Sequence, residues 1–452
     1  MGINNKIFKY LVYYPIMGAR REFVPSRLSR FKASQWYDRE QLRSLQEGKL
    51  EELLSYVRTN VPYYRELFDQ AGTLSKSSLE FQTLPLLTKE ILWSRGHLLK
   101  SAEHFHGRVI RSTSGSTGIP VTVWKTHEAR AHELAALWRG YSWAGIDIGD
   151  RQGRFWTVPY SPKERIRTRL IDFALHQLRC SASAFDEETM ISYTSRLERF
   201  HPKYLVGFVS MLVEYAEFLK RRRRKLSFPL HCVVTSAEVL TGYHRGLLEE
   251  VFACPVFDLY GCGEVGPIAQ ECEKGSFHIN SENLLVEILD RGRSCQAGEF
   301  GEVVVTELNN KMMPLIRYQV GDFAALSPSV CACGRALPII SRIAGRAYDM
   351  IYNRQGKMFH GDFFASIFKE VKSNNLGVRA FQIVQTDASR LRVKIEPEEG
   401  YGEPAESLIR ERIRTLFDSH TTVAFETVKE IEREASGKLR LVVGMDRGPR
   451  SP

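Results

Sequence analysis

The chain predicts an α/β fold in two unequal parts, a large N-terminal domain followed by a small α+β domain. Strand-like runs such as Val109-Ile110, Cys232-Val233-Val234-Thr235 and Val303-Val304-Val305 alternate with helical stretches such as 51–60 and 128–140. A length of 452 residues exceeds what one core usually fills. After Arg346 the pattern shortens to helix 363–371, strands 379–384 and 390–395, helix 405–416 and strand 422–428. The expected division is therefore 1–346, 347–446 and a frayed Pro/Gly/Arg tail at 447–452. Internal repeats and low-complexity segments are absent.

Taken in order, the first element is a basic, apolar arm. Residues 1–32 carry seven lysines and arginines against Glu22, a net +6, interleaved with Ile7, Phe8, Tyr10, Leu11, Val12, Tyr13, Tyr14 and Ile16. The arm has two readings: it lies on an anionic membrane surface, or it packs on the large domain. It is too short and too charged to span a bilayer. It also lacks a small-residue cleavage site, so no signal peptide is expected.

Next comes Ser112-Thr113-Ser114-Gly115-Ser116-Thr117-Gly118-Ile119-Pro120, between strand-like Val109-Ile110 and Val121-Thr122-Val123-Trp124. Glycines let backbone N–H groups approach phosphate oxygens, and five hydroxyls add donors. A strand-to-strand setting without a lysine in the loop excludes the Walker type. The alternative is a plain surface turn.

Lys220-Arg221-Arg222-Arg223-Arg224-Lys225 follows an apolar helical pattern at Leu212, Tyr215, Phe218 and Leu219. It reads as a solvated run of cations at a helix C-terminus, favoured by the helix dipole. This run and the arm account for the net charge of +10 and leave about −2 for the remainder. No nucleic-acid groove is expected across such a fold.

Eight cysteines without a secretion signal point to a reducing compartment, hence a cytoplasmic protein. Cys272 and His278 stand six residues apart, and Cys331-Ala332-Cys333-Gly334 forms a tight turn presenting two sulfurs. Together they make either a Cys₃His zinc set, structural because protein would fill all four places, or ordinary cysteines with a surface histidine.

Further motifs follow in a fixed order. They are Leu259-Tyr260-Gly261-Cys262-Gly263-Glu264, then Met313-Pro314-Leu315-Ile316-Arg317-Tyr318-Gln319-Val320-Gly321-Asp322. After these stand Ile343-Ala344-Gly345-Arg346-Ala347-Tyr348-Asp349-Met350-Ile351 and Ala435-Ser436-Gly437-Lys438-Leu439-Arg440. With the Ser/Thr/Gly loop, they resemble the ordered core motifs of AMP-forming, adenylate-forming enzymes. The resemblance is strongest to phenylacetate–CoA ligases and the related capsule-cluster proteins, and it spans nearly the whole chain. It implies the adenylate-forming fold: a large multi-sheet α/β domain and a small, mobile C-terminal lid.

The resemblance also implies roles. Ser112, Thr113, Ser114, Gly115, Ser116, Thr117 and Gly118 would cradle the phosphates of ATP. Lys438 would bridge the acid's carboxylate and the α-phosphate, and Glu264 would help hold Mg²⁺, a hard cation suited to carboxylate oxygen. Tyr260-Gly261 and Ser236-Ala237-Glu238 would flank the adenine, while Asp322 would accept from both ribose hydroxyls. Arg346 would reach ribose or phosphate from the domain junction. Some members of this branch carry a structural zinc in a similar Cys/His set.

Two positions depart from the pattern. Gly263 stands where relatives keep Ser or Thr, and Tyr348, followed by Asp349, stands where most keep Asp or Lys as the hinge. The segment 353–360 occupies the place of a loop near the CoA thiol, with Gly356 its well-matched residue. Trp156, Tyr160, Gly207, Phe208 and Ser210 either line the acid pocket, where aromatics would suit a flat or apolar acid, or pack in the core. The identity of the acid and the oligomeric state stay open.

The expected activity is ATP- and Mg²⁺-dependent conversion of a carboxylic acid to an acyl-adenylate, then transfer to CoA. Gly263 and Tyr348 motivate an alternative with another acceptor. A third reading is a degenerate member acting in surface-polysaccharide assembly.

Overall fold

The computed structural model describes residues 5–70, 81–82, 84–112, 121–156, 162–181, 186–346, 351–355, 358–359, 361–387, 389–432 and 440–445. The strands in chain order begin with β1 (Val109–Ser112), β2 (Thr122–Lys125), β3 (Gln152–Trp156), β4 (Gln177–Ser181), β5 (Tyr204–Phe208), β6 (Cys232–Ser236) and β7 (Val256–Cys262). They continue with β8 (Gly266–Glu271), β9 (Phe277–Ile279), β10 (Leu284–Asp290), β11 (Arg293–Ser294), β12 (Gly301–Glu307), β13 (Tyr318–Leu326) and β14 (Ile339–Arg346). The last are β15 (Ile351–Tyr352), β16 (Met358–Phe359), β17 (Val378–Asp387), β18 (Arg390–Pro397), β19 (Thr422–Thr427) and β20 (Val442–Val443).

Among the described residues β3 to β14 form one twelve-stranded sheet ordered β11-β10-β12-β13-β14-β9-β8-β7-β6-β5-β3-β4. Its β4-β3-β5-β6-β7 half is parallel, and from β7 onward the pairing is antiparallel. In the parallel half Tyr204–Phe208 and Cys232–Ser236 are buried throughout, as expected where helices cover both faces. Helices Glu187–Phe200, Val209–Arg221 and Gly242–Phe252 pack on one face through Leu197, Met211, Leu212, Tyr215 and Leu248. The N-terminal helices and His127–Trp143 cover the other, meeting Tyr204, Val206 and Val234.

Hairpin β1–β2 is separate and antiparallel, with Ser112 opposite Thr122. The strand-to-strand setting expected of the Ser/Thr/Gly loop is thus present, while residues 113–120 lie outside the described residues. Helix Arg39–Asn60 starts twelve residues before the stretch that the periodicity marks. Its beginning is fixed by a capping box in which Asp38 accepts from Gln41 N–H and the Gln41 side chain accepts from Asp38 N–H.

Beyond Arg346 the small sheet has order β19-β18-β17-β20. Helices Gly361–Ser373 and Glu403–Leu416 close its core through Phe364, Phe368, Ile409 and Ile413. The Lys220–Lys225 run ends helix Val209–Arg221 and is exposed, with Lys220, Arg222 and Arg224 paired to Glu250, Glu187 and Glu198.

Candidate functional site

The carboxyl ends of the parallel strands form a continuous row: Ser181 stands opposite Trp156, Phe208 opposite Ser236 and Ser236 opposite Leu259, and the Phe155–Gly207 pair one residue earlier joins β3 to β5. In open α/β sheets ligands bind at this edge. Ser236 Oγ donates to Leu259 carbonyl at 3.1 Å, tying β6 to β7 there. Ala237 follows in left-handed backbone, φ 72°, which turns the chain off the strand. The Glu238 carboxylate then accepts from Ser210 N–H at 2.6 Å and from its hydroxyl at 2.9 Å. Glu238 therefore caps the helix that starts at Val209, where a negative charge is stabilised.

At the end of β7 the chain turns back tightly. A Cβ on Gly261 would stand 2.4 Å from the Gly266 carbonyl, so only glycine fits there. This turn presents Glu264, which is buried and accepts at Oε1 from the Tyr318 hydroxyl at 3.0 Å. Close by, the Tyr260 hydroxyl donates to Asp322 Oδ2 at 2.9 Å. Asp322 on β13 lies directly opposite Arg346 on β14. Glu264, Asp322, Tyr260 and the backbone of Arg346 are thus brought to one place from three separate motifs. Burial, and after it the charges of Glu264 and Asp322, raise the Tyr318 hydroxyl and the Cys262 thiol well above their ordinary values. Both stay protonated, so Tyr318 remains a donor and Cys262 is no nucleophile.

The Ser/Thr/Gly hairpin is held to this turn by a buried charge network that the sequence did not reveal. Glu133 on helix His127–Trp143 contacts Lys125 at 2.5 Å, Arg130 at 2.6 Å and Arg111 at 3.3 Å. Lys125 also reaches Glu307 at 2.7 Å. Burial alone would raise the Glu133 carboxyl, but Lys125, Arg130 and Arg111 together hold it well below the usual range. Arg111 and Lys125 belong to β1 and β2, and a Cβ on Gly266 would lie 3.1 Å from the Glu133 carboxyl carbon. One buried acid therefore spans the base of the loop and the turn bearing Glu264.

Of the remaining expected site residues, Ser112 ends β1 with its hydroxyl 3.4 Å from that of Thr122. Thr113, Ser114, Gly115, Ser116, Thr117, Gly118, Tyr160, Tyr348, Asp349, Gly356 and Lys438 lie outside the described residues. Trp156 and Phe208 pack with ring centroids 4.3 Å apart at the strand-end row. Gly207 faces away, since a Cβ there would stand 2.7 Å from that of Phe155 in the core. Of its two expected roles, packing in the core is the one the structure gives it.

The Cys/His set does converge. Ligand atoms of Cys272, His278, Cys331 and Cys333 all lie within 4.8 Å of one another. The Cys272 and Cys331 sulfurs are 3.7 Å apart, and Cys333 Sγ is 3.2 Å from His278 Nε2. Ligands at zinc distances of ~2.3 Å for sulfur and ~2.0 Å for nitrogen define a tetrahedron with edges of about 3.5–3.8 Å. The donor set therefore fits zinc in chemistry and in size, and its sulfurs are too far apart for a disulfide. His278 Nδ1 donates to the Leu337 carbonyl at 3.1 Å, leaving the Nε2 lone pair aimed at the sulfurs. Arg335 joins the two ligand loops by meeting both oxygens of Glu273 at 2.9–3.0 Å.

The chain is similar to several known proteins. Residues 351–444 match the CapK C-terminal domain. Over 418 residues the chain is 25% identical to Protein CapK of Staphylococcus aureus, covering 89% of each. It is 29% identical over 350 residues to the phenylacetate-coenzyme A ligase of Thermus thermophilus, covering 70% of this chain and 73% of that one. Among solved structures, 2-hydroxyisobutyryl-CoA ligase in its postadenylation state superposes with a TM-score of 0.72 at 20% identity, covering 90% of both chains. The same ligase in its thioesterification state is matched over the same shares with a TM-score of 0.55. The fold is that of adenylate-forming ligases, and the resemblance read from the ordered motifs is borne out.

Proposed function

We infer that the chain is an AMP-forming carboxylate–CoA ligase. The observation that carries this is the pairing of Asp322 with Tyr260 and of Glu264 with Tyr318 at one strand-end edge, within an adenylate-forming fold. Asp322 presents two acceptor oxygens to a ribose diol, and Tyr260 orients them. Buried Glu264 is a hard oxygen donor suited to Mg²⁺, which when bound neutralises phosphate charge. Ser112 to Gly118 supply N–H and hydroxyl donors to the phosphates, and Lys438 lowers the repulsion between the acid's carboxylate and the α-phosphate. The carboxylate oxygen attacks the α-phosphorus and pyrophosphate leaves. The CoA thiol then attacks the acyl carbon, losing its proton, and AMP leaves. Cys272, His278, Cys331 and Cys333 would hold a zinc with all four places filled by protein, a structural role outside either step.

A second reading keeps the adenylate and replaces CoA by another acceptor; Gly263, which removes a hydroxyl beside Glu264, and Tyr348 at the hinge favour it. ATP–pyrophosphate exchange with a panel of aryl, fatty and hydroxy acids tests the first half-reaction without assuming an acceptor. Exchange dependent on one acid class, falling about 10²–10³-fold in Lys438→Ala, is expected. ATP binding without exchange on any acid would overturn adenylation of these acids, and failure to bind ATP would favour an assembly role. Where exchange is found, AMP release driven by CoA separates the first reading from the second.

A further inference from the structure

We propose that the outer face of the N-terminal helices, together with helix Pro162–Ala174, docks the protein on an anionic membrane surface. The arm is anchored by one side only. Phe8, Tyr13 and Met17 are buried, and Phe8 lies between Phe173 at 6.3 Å and His176 at 4.3 Å. Asn5 donates to Asp150, Lys9 pairs with Asp147 at 2.9 Å, and Trp138 donates to the Tyr13 hydroxyl at 2.8 Å. These contacts fix which side faces out.

That side is apolar. Ile7, Tyr10 and Leu11 recur at i, i+3 and i+4, and Ile166, Leu170 and Phe173 at i, i+4 and i+7 on the neighbouring helix. All six are between 49% and 71% exposed, and the contact of Phe173 with buried Phe8, next to Ile7 in the chain, sets the two stripes side by side. A contiguous apolar surface on a folded protein marks an interaction site.

Charge decides what covers it. Residues 1–32 carry seven lysines and arginines against one acid, Glu22, which pairs with Arg20 at 2.9 Å. Helix Pro162–Ala174 contains Lys163, Arg165, Arg167 and Arg169 against Glu164 and Asp172, and Asp172 is occupied by Arg179 at 2.8 Å. A second copy meeting this face about a two-fold axis would set cations against the same cations. Anionic lipid headgroups meet the cations while the apolar side chains enter the acyl boundary, the arrangement of an interfacial helix. Among the described residues no helix is long and apolar enough to cross a membrane, so the contact is peripheral.

Flotation of the full chain with phosphatidylcholine vesicles, with and without phosphatidylglycerol, tests this. The protein should float with the anionic vesicles and be released as salt rises. Leu11→Ser combined with Leu170→Ser should cut binding at least tenfold, and Lys6→Glu with Arg165→Glu should do the same, with thermal unfolding of each variant measured alongside to show that the fold is kept. Wild-type protein that floats with neither vesicle, or serine and glutamate variants that bind like wild type, would overturn the proposal. So would a wild-type dimer in sedimentation that the serine variant dissociates, with no vesicle binding by either.

Discussion

Tyr318 and Tyr260 each spend a hydroxyl on one carboxylate, and each bond joins residues more than fifty positions apart. Tyr318 sits inside a motif that the sequence makes conspicuous, yet its role could not be read there, because periodicity carries no information about which distant acid a hydroxyl meets. The order of motifs marked Glu264 and Asp322, which the structure brings together; their tyrosine partners were not legible there. A hydrogen bond to a charged group contributes about 1.5–3 kcal/mol, so Tyr318→Phe should raise the magnesium concentration needed for half-maximal exchange roughly ten- to a hundredfold. Tyr260→Phe should instead raise the KM for ATP at saturating magnesium. Exchange assays that vary ATP and magnesium separately distinguish the two roles. Identical responses of both variants to magnesium would remove the separate assignments.

At the scale of elements, most boundaries follow from sequence because apolar runs and caps are local signals. Strands Cys232–Ser236 and Gly301–Glu307 and helix His127–Trp143 match their apolar patterns closely. The first half of helix Arg39–Asn60 does not, since it is mostly polar and only the box formed by Asp38 and Gln41 announces it. The Glu133 network was illegible for the same reason as the tyrosine bonds: Lys125 and Glu307 are 182 residues apart. The Cys/His set was legible as a composition and is now a geometry, tying the β8–β9 turn to the β13–β14 connection. Metal binding to such a preformed set adds directly to folding stability. Protein purified without chelator should therefore carry stoichiometric zinc by atomic emission, and Cys333→Ser should lose it and unfold several degrees lower. Absence of metal from the wild type, together with an unchanged melt for Cys333→Ser, would return these residues to ordinary cysteines and a histidine.

Among the described residues the small domain meets helices Val209–Arg221 and Gly242–Phe252 of the large one through polar contacts. Lys372 on helix Gly361–Ser373 meets Glu217 at 3.0 Å and lies over the Tyr243 ring at 5.5 Å, and Arg379 approaches Glu214 at 4.0 Å. The match to one ligase in two states covers the same share of both chains but falls from a TM-score of 0.72 to 0.55. The chain therefore superposes better on the postadenylation state of that ligase than on its thioesterification state. In this arrangement the Lys372–Glu217 pair joins the two domains. Its side chains are 24% and 27% exposed, so the pair contributes only about 0.2–1 kcal/mol. If the two domains must move between half-reactions, an interaction of that size would let the joint open. Reversing the charge in Lys372→Glu replaces attraction by repulsion and should slow pyrophosphate exchange roughly two- to tenfold with the melt unchanged. The swap Lys372→Glu with Glu217→Lys restores the attraction and should recover most of the rate, the non-additivity that defines a direct pair. If the swap is as slow as the single reversal, the two side chains do not act on each other and the domains are held in place by other contacts.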